Sequence, residues 1–363
     1  MLSFIHEPAP TRVVFRAGAL ATLPEEIERL GLQKALVLST PEQAHMAEHA
    51  ASLLGQRAAG VFAKAVMHVP IETAHAARQE AQRLNADCAV AIGGGSTTGL
   101  GKAIALESAL PIIAIPTTYA GSEMTPIWGI TENGVKKTGR DRRVLPRTVI
   151  YDPELTVGLP IDLSVTSGIN AIAHAAEGLY AQDGNPVTSL MAEEGIRAIA
   201  AALPQLRQNP AHLDARAQAL YGAWLCGSVL GSVGMAIHHK LCHTLGGSFN
   251  LPHAPVHTVV LPHAIAYNAA AAPQAMRKIA RALGIEADDP LAAAQGLQQL
   301  ARENGAPTAL QDIGMREQDL ERAADLAVAN PYWNPRPVGP EARHALRALL
   351  QRAHAGQAPS AID

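Results

Sequence analysis

The sequence predicts an α/β domain with a doubly wound, mostly parallel sheet, followed by an all-helical bundle. In the first part, short apolar segments alternate with helical segments of roughly 10 to 15 residues, the pattern of parallel strands joined by crossover helices. From Ser164 onward the chain is rich in Ala and Leu, with helical periodicity and few β-branched segments. A chain of 363 residues is also long for a single core. We therefore expect two domains, residues 1–158 and 159–363.

The strands of the first domain are predicted from short apolar segments rich in Val, Ile and Ala. In chain order they are 12–15, 34–39, 60–67, 88–92, 111–115 and 148–151. Helical patterns occupy segments between these strands, namely 20–30, 42–54, 71–84 and 97–106. One strand leads through a run of glycines into the last of these helices. A strand, a tight turn and a helix are therefore expected to follow one another there.

The helices of the second domain are predicted from their helical apolar periodicity. They span 164–182, 186–203, 210–232, 234–246, 256–270, 273–283, 290–304, 317–329 and 340–354. Gly246 and Gly247 are expected to end the fourth of these helices, because glycine is the usual residue just after a helix C-terminus. In such a bundle, side chains from facing helices can converge on one site.

Composition and charge exclude several classes of partner. The chain is 48% hydrophobic and 17% charged, with a net charge of −3 and no basic run. This argues against nucleic acid or an anionic membrane as a partner. No segment has about 20 uninterrupted apolar residues, and the N-terminus does not have the pattern of a signal peptide. The three cysteines match no disulfide framework, so we expect a reducing cytoplasm.

The turn Gly93-Gly94-Gly95-Ser96 predicts a phosphate-binding site. Glycines let backbone amides approach an anion, and the following helix N-terminus adds a partial positive charge. Thr117 and Thr118 end the next strand, so they are expected in the same crevice. Ser39 ends the first long strand, where a hydroxyl accepts either a ribose or its phosphate. The coenzyme is therefore expected to be NADH or NADPH.

Histidines of the second domain predict a polar site built from several helices. The sequence contains Asn170-x-x-x-His174, then His239-x-x-x-His243, then His253. A spacing of four places both members of a pair on one face of a helix. The group resembles a metal site in which a neutral asparagine stands where a carboxylate would usually balance the charge of the ion. Three further histidines are weaker candidates: His238, His257 and His263.

These motifs resemble the iron-containing alcohol dehydrogenase family over nearly the whole chain. Within that family the chain is similar to the maleylacetate reductase subfamily. The subfamily resemblance depends on four long segments: MHVPIET (67–73), TYAGSEMTPIWGIT (118–131), GRDRRVLPRTVIYDPELT (139–156) and NPYWNPRP (330–337). It also depends on Asn170 in place of a metal-binding Asp, and on Gly99 where the dehydrogenases often have Asp.

The resemblance implies a function and a set of site residues. The family's metal ligands fall on Asn170, His174, His239 and His253, while His243 falls beside the nicotinamide. Because of Asn170, we expect a vestigial metal site and no metal requirement. The implied reaction is reduction of the C=C bond of maleylacetate to 3-oxoadipate, in the degradation of aromatic compounds. His243 and His253 are the expected catalytic residues.

The remaining expectations concern the substrate, the assembly and alternative functions. Asn170, His174 and His239 are expected to contact the small dicarboxylate substrate. Cationic partners for its carboxylates are expected at Lys240 and Arg336, with Tyr119 in the pocket wall. The family resemblance and the frequency of such assemblies suggest a homodimer. Two alternatives stay open: a metal-dependent alcohol or polyol dehydrogenase, and a non-catalytic dinucleotide-binding module.

Overall fold

The computed structural model describes residues 4–133 and 135–361, which divide into two compact units. One unit is Pro8–Leu159. The other begins at Pro160 and includes the described residues that precede Pro8. Each unit is described separately below.

The first unit contains a six-stranded sheet, which confirms the predicted α/β class. All paired strands of this sheet are parallel, in the order β1-β8-β5-β4-β2-β3. These strands are β1 (Arg12–Phe15), β2 (Ala35–Leu38), β3 (Ala58–Phe62), β4 (Cys88–Gly93), β5 (Ile112–Pro116) and β8 (Thr148–Tyr151). The helices of this unit are α1 (Leu23–Arg29), α2 (Ala44–Leu54), α3 (Ile71–Arg83) and α4 (Gly95–Ser108).

The central strands are buried on both faces, which explains their continuous apolar runs. Val37 and Val90 belong to one core cluster, whereas Leu36, Leu38 and Ala89 belong to another. Successive residues of a strand point to opposite faces of the sheet. The sheet is therefore covered on both sides, as in other parallel sheets with crossover helices.

Sequence reasoning missed two strands of the first unit. β6 (Ile127–Glu132) and β7 (Val135–Arg140) form an antiparallel pair. Most of β6 is only half-buried, and β7 contains three cationic residues. Neither strand has the continuous apolar run by which the buried strands were predicted, and that explains the omission.

The second unit is helical, and each predicted helix is present within a few residues. The helices are α5 (Ile161–Gly178), α6 (Pro186–Gln208), α7 (Leu213–Ser232), α8 (Ile237–Phe249), α9 (His253–Asn268), α10 (Pro273–Ala282), α11 (Ala292–Glu303), α12 (Leu320–Ala329) and α13 (Arg343–His354). In the described part of the chain, no single helix is long and apolar enough to cross a membrane. The pair α7 and α8 meets that test jointly but bends by 97°.

The prediction that Gly246 and Gly247 end their helix is wrong. Helix α8 continues to Phe249, and Asn250 follows in the left-handed conformation with φ 55°. A glycine inside a helix costs only about 1 kcal/mol relative to alanine, so one more turn is tolerated. Asparagine is one of the few residues that adopt the left-handed conformation at a helix end. Helix α9 packs against both α5 and α8, and these three helices contain the predicted histidines.

Candidate functional site

The glycine turn lies between β4 and α4 and depends on the absence of side chains. Gly93 has φ 155°, and a Cβ there would lie 2.4 Å from Oγ1 of Thr97. A Cβ on Gly94 would lie 3.0 Å from Cγ2 of Thr118. The backbone therefore folds closely around the start of α4. Unpaired amides at a helix N-terminus attract phosphate oxygens, so this geometry fits the pyrophosphate of a dinucleotide.

The hydroxyl groups predicted around this turn differ in exposure. Ser96 and Thr118 are half-buried. Thr117 is almost fully buried, and its Oγ1 accepts a hydrogen bond of 2.8 Å from Nε2 of Gln43. Ser39 is completely buried, and its hydroxyl has no hydrogen-bond partner in the described part of the chain. Thr117 and Ser39 therefore lie beneath the surface that Ser96 and Thr118 help to form.

A buried lysine that sequence reasoning missed holds the segment after β5. Nζ of Lys102 donates to the carbonyls of Ser122, Thr125 and Ile127 at 2.6 to 2.8 Å, and it contacts Oγ1 of Thr125 at 2.9 Å. Burial lowers the pKa of Lys102 to about 7, with the charge of Glu123 opposing the shift. The four oxygens around one nitrogen fix the chain that follows Thr117 and Thr118. Tyr119, within that segment, is completely buried.

Gly99 lies against a strained turn. A Cβ on Gly99 would lie 2.8 Å from Cγ2 of Val69. Val69 and His68 have φ values of 49° and 67°, a conformation rarely adopted by a β-branched residue. Thr131 holds this turn, because its hydroxyl donates to the carbonyl of His68 and its backbone N–H to that of Val69. The space next to Gly99 is therefore filled by a side chain from another segment.

In the helical unit, Glu177 organises the histidines, although sequence reasoning did not select it. Its carboxylate is completely buried and accepts hydrogen bonds from Nδ1 of His239 at 2.7 Å and from the backbone N–H groups of Ala236 and His238 at 2.8 and 2.7 Å. The two amides belong to the N-terminus of α8, where a carboxylate is favoured. Glu177 thus fixes both the start of α8 and the orientation of one ring.

This carboxylate also sets the proton positions on the rings of His239 and His174 when each ring carries one proton. Because Glu177 accepts from Nδ1–H of His239, Nε2 of His239 has a lone pair. Nε2 of His239 lies 2.8 Å from Nδ1 of His174, so His174 donates. Nε2 of His174 then has a lone pair. One buried carboxylate therefore determines the tautomers of two histidines.

His238 and His257 lie at the centre of the cluster, although the sequence ranked them as weaker candidates. Both are completely buried, and Nε2 of His238 lies 2.9 Å from Nδ1 of His257. The ring centroid of His257 lies 5.1 Å from that of His239 and 4.4 Å from that of His253. Burial, reinforced by the neighbouring histidines, lowers the pKa of both residues well below the usual value. The imidazoles of His238 and His257 are therefore neutral. Ring contacts of His257 connect His239 with His253.

Cys242 completes a second group of possible metal ligands. The ligand atoms of His238, Cys242 and His257 lie within 4.8 Å of one another. Burial raises the pKa of the Cys242 thiol, however, and the two imidazoles are already hydrogen-bonded to each other. The group is better described as a packed layer beneath the predicted residues.

The two expected catalytic histidines are less buried than the rest. His243 is half-buried, and its Nδ1 lies 3.0 Å from the hydroxyl of Tyr332. Its ring centroid lies 6.0 Å from that of His239. His253 is the first residue of α9 and is also half-buried. The structure therefore brings His174, His239, His243 and His253 into one connected group of rings.

The donors at the family's metal position are a poor fit for tight binding of a divalent ion. Asn170 is 2% exposed, and its Oδ1 has no hydrogen-bond partner among the described residues. This oxygen and the three imidazoles of His174, His239 and His253 are all neutral ligands. The carboxylate of Glu177 is used by His239 and by two backbone amides. No anionic ligand in this set offsets the charge of a dication.

The two predicted cationic residues have different surroundings. Lys240 follows His239 on α8 and is half-buried, and burial lowers its pKa. The guanidinium of Arg336 lies 4.3 Å from the ring centroid of Tyr267, which is a cation–π contact. Tyr119 belongs to the α/β unit and not to the histidine cluster.

Some of the missed residues had a signal in the sequence. Glu177 follows Asn170 by seven residues and His174 by three, which places all three on one helical face. His257 follows His253 by four residues in the same way. Tyr332 had no comparable signal, because it reaches His243 across 89 residues of sequence.

Two sequence models of one family match most of the chain. The model described as iron-containing alcohol dehydrogenase matches residues 10–153. The model described as Fe-containing alcohol dehydrogenase family, C-terminal, matches residues 164–353. Together they cover both structural units.

The chain is also similar to several maleylacetate reductases over its full length. It is 66% identical over 360 residues to the maleylacetate reductase of Burkholderia cepacia, covering 99% of this chain and 100% of the relative. It is 57% identical over 358 residues to that of Pseudomonas sp. strain P51, covering 99% of each. The crystal structure of maleylacetate reductase from Agrobacterium tumefaciens matches with a TM-score of 0.93 at 56% identity, covering 99% of this chain and 100% of the other.

Proposed function

The chain belongs to the iron-containing alcohol dehydrogenase family, and on that basis we propose that this oxidoreductase is a maleylacetate reductase. It reduces the C=C bond of maleylacetate to give 3-oxoadipate, with NADH or NADPH as the electron donor. Full-length similarity to maleylacetate reductases is the observation that supports this most. The connected histidine cluster supports it independently, because it supplies neutral hydrogen-bond donors in a buried environment.

The chemistry of the substrate defines what the protein must supply. When bound, NADH or NADPH would supply the hydride for the alkene carbon distal to the ketone. The electron pair of the C=C bond then moves toward the ketone, whose oxygen becomes an enolate. Negative charge on that oxygen needs fixed donors, and a proton must reach the other alkene carbon. Removing one preorganised donor typically costs about 100- to 1000-fold in rate.

We assign these two tasks to His243 and His253. Both are less buried than the rings beneath them, and His253 packs on His257 with centroids 4.4 Å apart. His243 is the proton donor in this proposal, because histidine exchanges protons near neutral pH. His253 donates to the developing enolate. The buried rings below restrict the orientation of these two side chains.

The other proposed roles follow from charge and position. Asn170, His174 and His239 contact the substrate, and Lys240 and Arg336 bind its carboxylates. The α/β unit binds the coenzyme through Gly93, Gly94, Gly95 and Ser96, supported by Ser39, Thr117 and Thr118. The helical unit is the catalytic domain.

The proposed reaction does not require a metal ion. Three imidazoles and the amide of Asn170 bind dications weakly without an anionic ligand, and a neutral amide avoids repulsion of a dianionic substrate. Purified protein is expected to contain less than one ion per chain and to keep its turnover in EDTA. The matched variant is Asn170→Asp, which is expected to gain Fe²⁺ or Zn²⁺ occupancy. A stoichiometric ion whose removal abolishes turnover of the wild-type protein would contradict the proposal.

The central experiment is oxidation of NADH and of NADPH followed by absorbance, with maleylacetate as substrate, with and without chelator. Rapid oxidation of either coenzyme with formation of 3-oxoadipate is expected. A second assay offers simple alcohols and polyols with NAD⁺ or NADP⁺ and added Fe²⁺ or Zn²⁺. Oxidation of an alcohol without any reduction of maleylacetate would favour a metal-dependent dehydrogenase instead.

Assembly and location complete the proposal. We expect a homodimer, which sedimentation of the purified protein tests directly. We also expect a cytoplasmic enzyme. All three cysteines are buried, which is compatible with a reducing compartment.

A further inference from the structure

We propose that Tyr332 is a positioning residue that fixes which ring nitrogen of His243 carries the proton. The inference rests on the proposed function for the catalytic role of His243, but the contact itself does not. The hydroxyl of Tyr332 lies 3.0 Å from Nδ1 of His243, and the two rings meet edge to face with centroids 6.2 Å apart.

The hydrogen bond has a defined direction when His243 is neutral. Burial, followed by the negative charge of Glu177, raises the pKa of Tyr332, so its hydroxyl stays protonated near neutral pH. Nδ1 of His243 is the one hydrogen-bond partner of this hydroxyl among the described residues, so the phenol donates its proton there, which requires a lone pair on Nδ1. The ring proton of neutral His243 is then on Nε2. Tyr332 can also accept from Nδ1–H once His243 is protonated, so the contact persists through a proton transfer.

The segment around Tyr332 is held at several points, so the contact is not incidental. The side chains of Asn334 and Asn268 exchange two hydrogen bonds of 2.6 and 2.9 Å, and both are buried. Oδ1 of Asn334 also accepts from the backbone N–H of Ile237, the first residue of α8. The helix that contains His243 and the segment that contains Tyr332 are therefore joined at Asn334.

A third attachment lies at the end of the segment. The hydroxyl of Tyr267 donates to the carbonyl of Pro337 at 3.0 Å, and the guanidinium of Arg336 covers the ring of Tyr267. These contacts, all within one structural unit, hold residues 330–337 against α9. The segment NPYWNPRP (330–337) is therefore held in place at both Asn334 and Pro337. Within this segment, Tyr332 contacts His243, a proposed catalytic residue.

The test compares Tyr332→Phe with Trp333→Phe, a change at an exposed neighbour in the same segment. Tyr332→Phe is expected to lower kcat by about 10-fold, the usual effect of one lost hydrogen bond, while KM for NADH stays unchanged and Tm falls by only a few degrees. Trp333→Phe is expected to keep wild-type kinetics. Asn334→Ala removes the hydrogen bonds of this side chain to Asn268 and Ile237, and it is expected to lower both kcat and Tm markedly.

A second measurement does not depend on activity. Nitrogen NMR of protein with ¹⁵N-labelled histidine, assigned with His243→Gln, reports the tautomer of His243. We expect the Nε2–H form in the wild-type protein and a mixture of tautomers in Tyr332→Phe. Equal tautomer populations in the two proteins overturn the inference, whatever the kinetics. Failure of the wild-type protein to reduce maleylacetate refutes the proposed function, and the NMR comparison still decides the role of Tyr332.

Discussion

The glycine turn and the histidine cluster are built in opposite ways. The turn depends on what is missing, because side chains on Gly93 or Gly94 would collide with Thr97 or Thr118. The cluster depends on side chains that are present, because hydrogen bonds between helices orient the rings of His174, His239, His238 and His257. A backbone site is therefore sensitive to added volume. A side-chain site is sensitive to the loss of a single hydrogen-bond partner.

The largest expected effect is at Glu177, the acceptor on which the cluster depends. Glu177→Ala leaves three buried donors without a partner, each worth about 1 to 3 kcal/mol. We expect the free energy of unfolding to fall by about 3 kcal/mol or more, and kcat to fall by roughly 10- to 100-fold, the usual range for a residue that orients a functional histidine. Urea denaturation and steady-state kinetics measure both.

The control for Glu177 is Glu194, a half-buried surface carboxylate of the same unit. Glu194→Ala removes a surface ion pair with Arg197, which is worth less than about 1 kcal/mol. Equal losses of stability in the Glu177 and Glu194 variants would show that the buried carboxylate has no special role.

A smaller effect is expected at the glycine turn. Gly93→Ala places a methyl group 2.4 Å from Oγ1 of Thr97 and should cost about 2 to 4 kcal/mol in stability through strain and overpacking. KM for the coenzyme should rise by roughly 10-fold or more, since 10-fold corresponds to about 1.4 kcal/mol. Gly95→Ala is the matched control, because its nearest neighbour would be Cβ of Ala120 at 3.8 Å. If both variants bind NADH equally, the turn does not depend on close backbone approach.

His263 differs from the hydrogen-bonded histidines of the cluster, because its ring nitrogens have no hydrogen-bond partner in the described part of the chain. Burial, with a smaller effect from Arg352, lowers the pKa of His263 to about 4. The unfolded chain therefore binds the proton more readily, and stability should fall as the pH falls from about 6.5 to 4. Between pH 7 and pH 5, His263 should lower the free energy of unfolding by about 2 kcal/mol.

The variant for this comparison is His263→Leu, which has a similar volume. Urea denaturation at pH 7 and pH 5 should show a smaller loss of stability in the variant than in the wild-type protein. His238 and His257 titrate in the same direction in both proteins, so the difference isolates His263. An unchanged pH dependence would mean that His263 is not neutral in the folded protein.

The smallest expected effect concerns the layer beneath the glycine turn. Thr117→Val keeps the shape of the side chain but removes the acceptor of the 2.8 Å hydrogen bond from Gln43. We expect a loss of about 1 kcal/mol in stability and a modest rise in KM for the coenzyme. A matched Thr118→Val variant tests the more exposed hydroxyl. A larger rise in KM for Thr117→Val than for Thr118→Val would show that the buried hydrogen bond between Gln43 and Thr117 matters more for coenzyme binding than the hydroxyl of Thr118.

The same contrast explains what could be predicted from the sequence. The glycine turn is local, so four consecutive residues and their neighbouring strand and helix were sufficient to find it. The helical spacing of Asn170 and His174, or of His239 and His243, is also local. Their partners are not, since Glu177 reaches His239 across 62 residues. Residues such as Tyr332 and Lys102 become recognisable only when the packing of helices and loops is known.

Val69 and Gly99 share one volume, which has a consequence for comparing members of this family. A methyl group of Val69 occupies the space where a side chain on residue 99 would begin. The two positions are therefore expected to vary together, with bulk at only one of them. Grafting an aspartate at position 99 alone should fail, whereas the double change Gly99→Asp with Val69→Gly should be tolerated far better than the sum of the single changes. The absence of a carboxylate at position 99 is therefore coupled to the volume of the side chain at position 69.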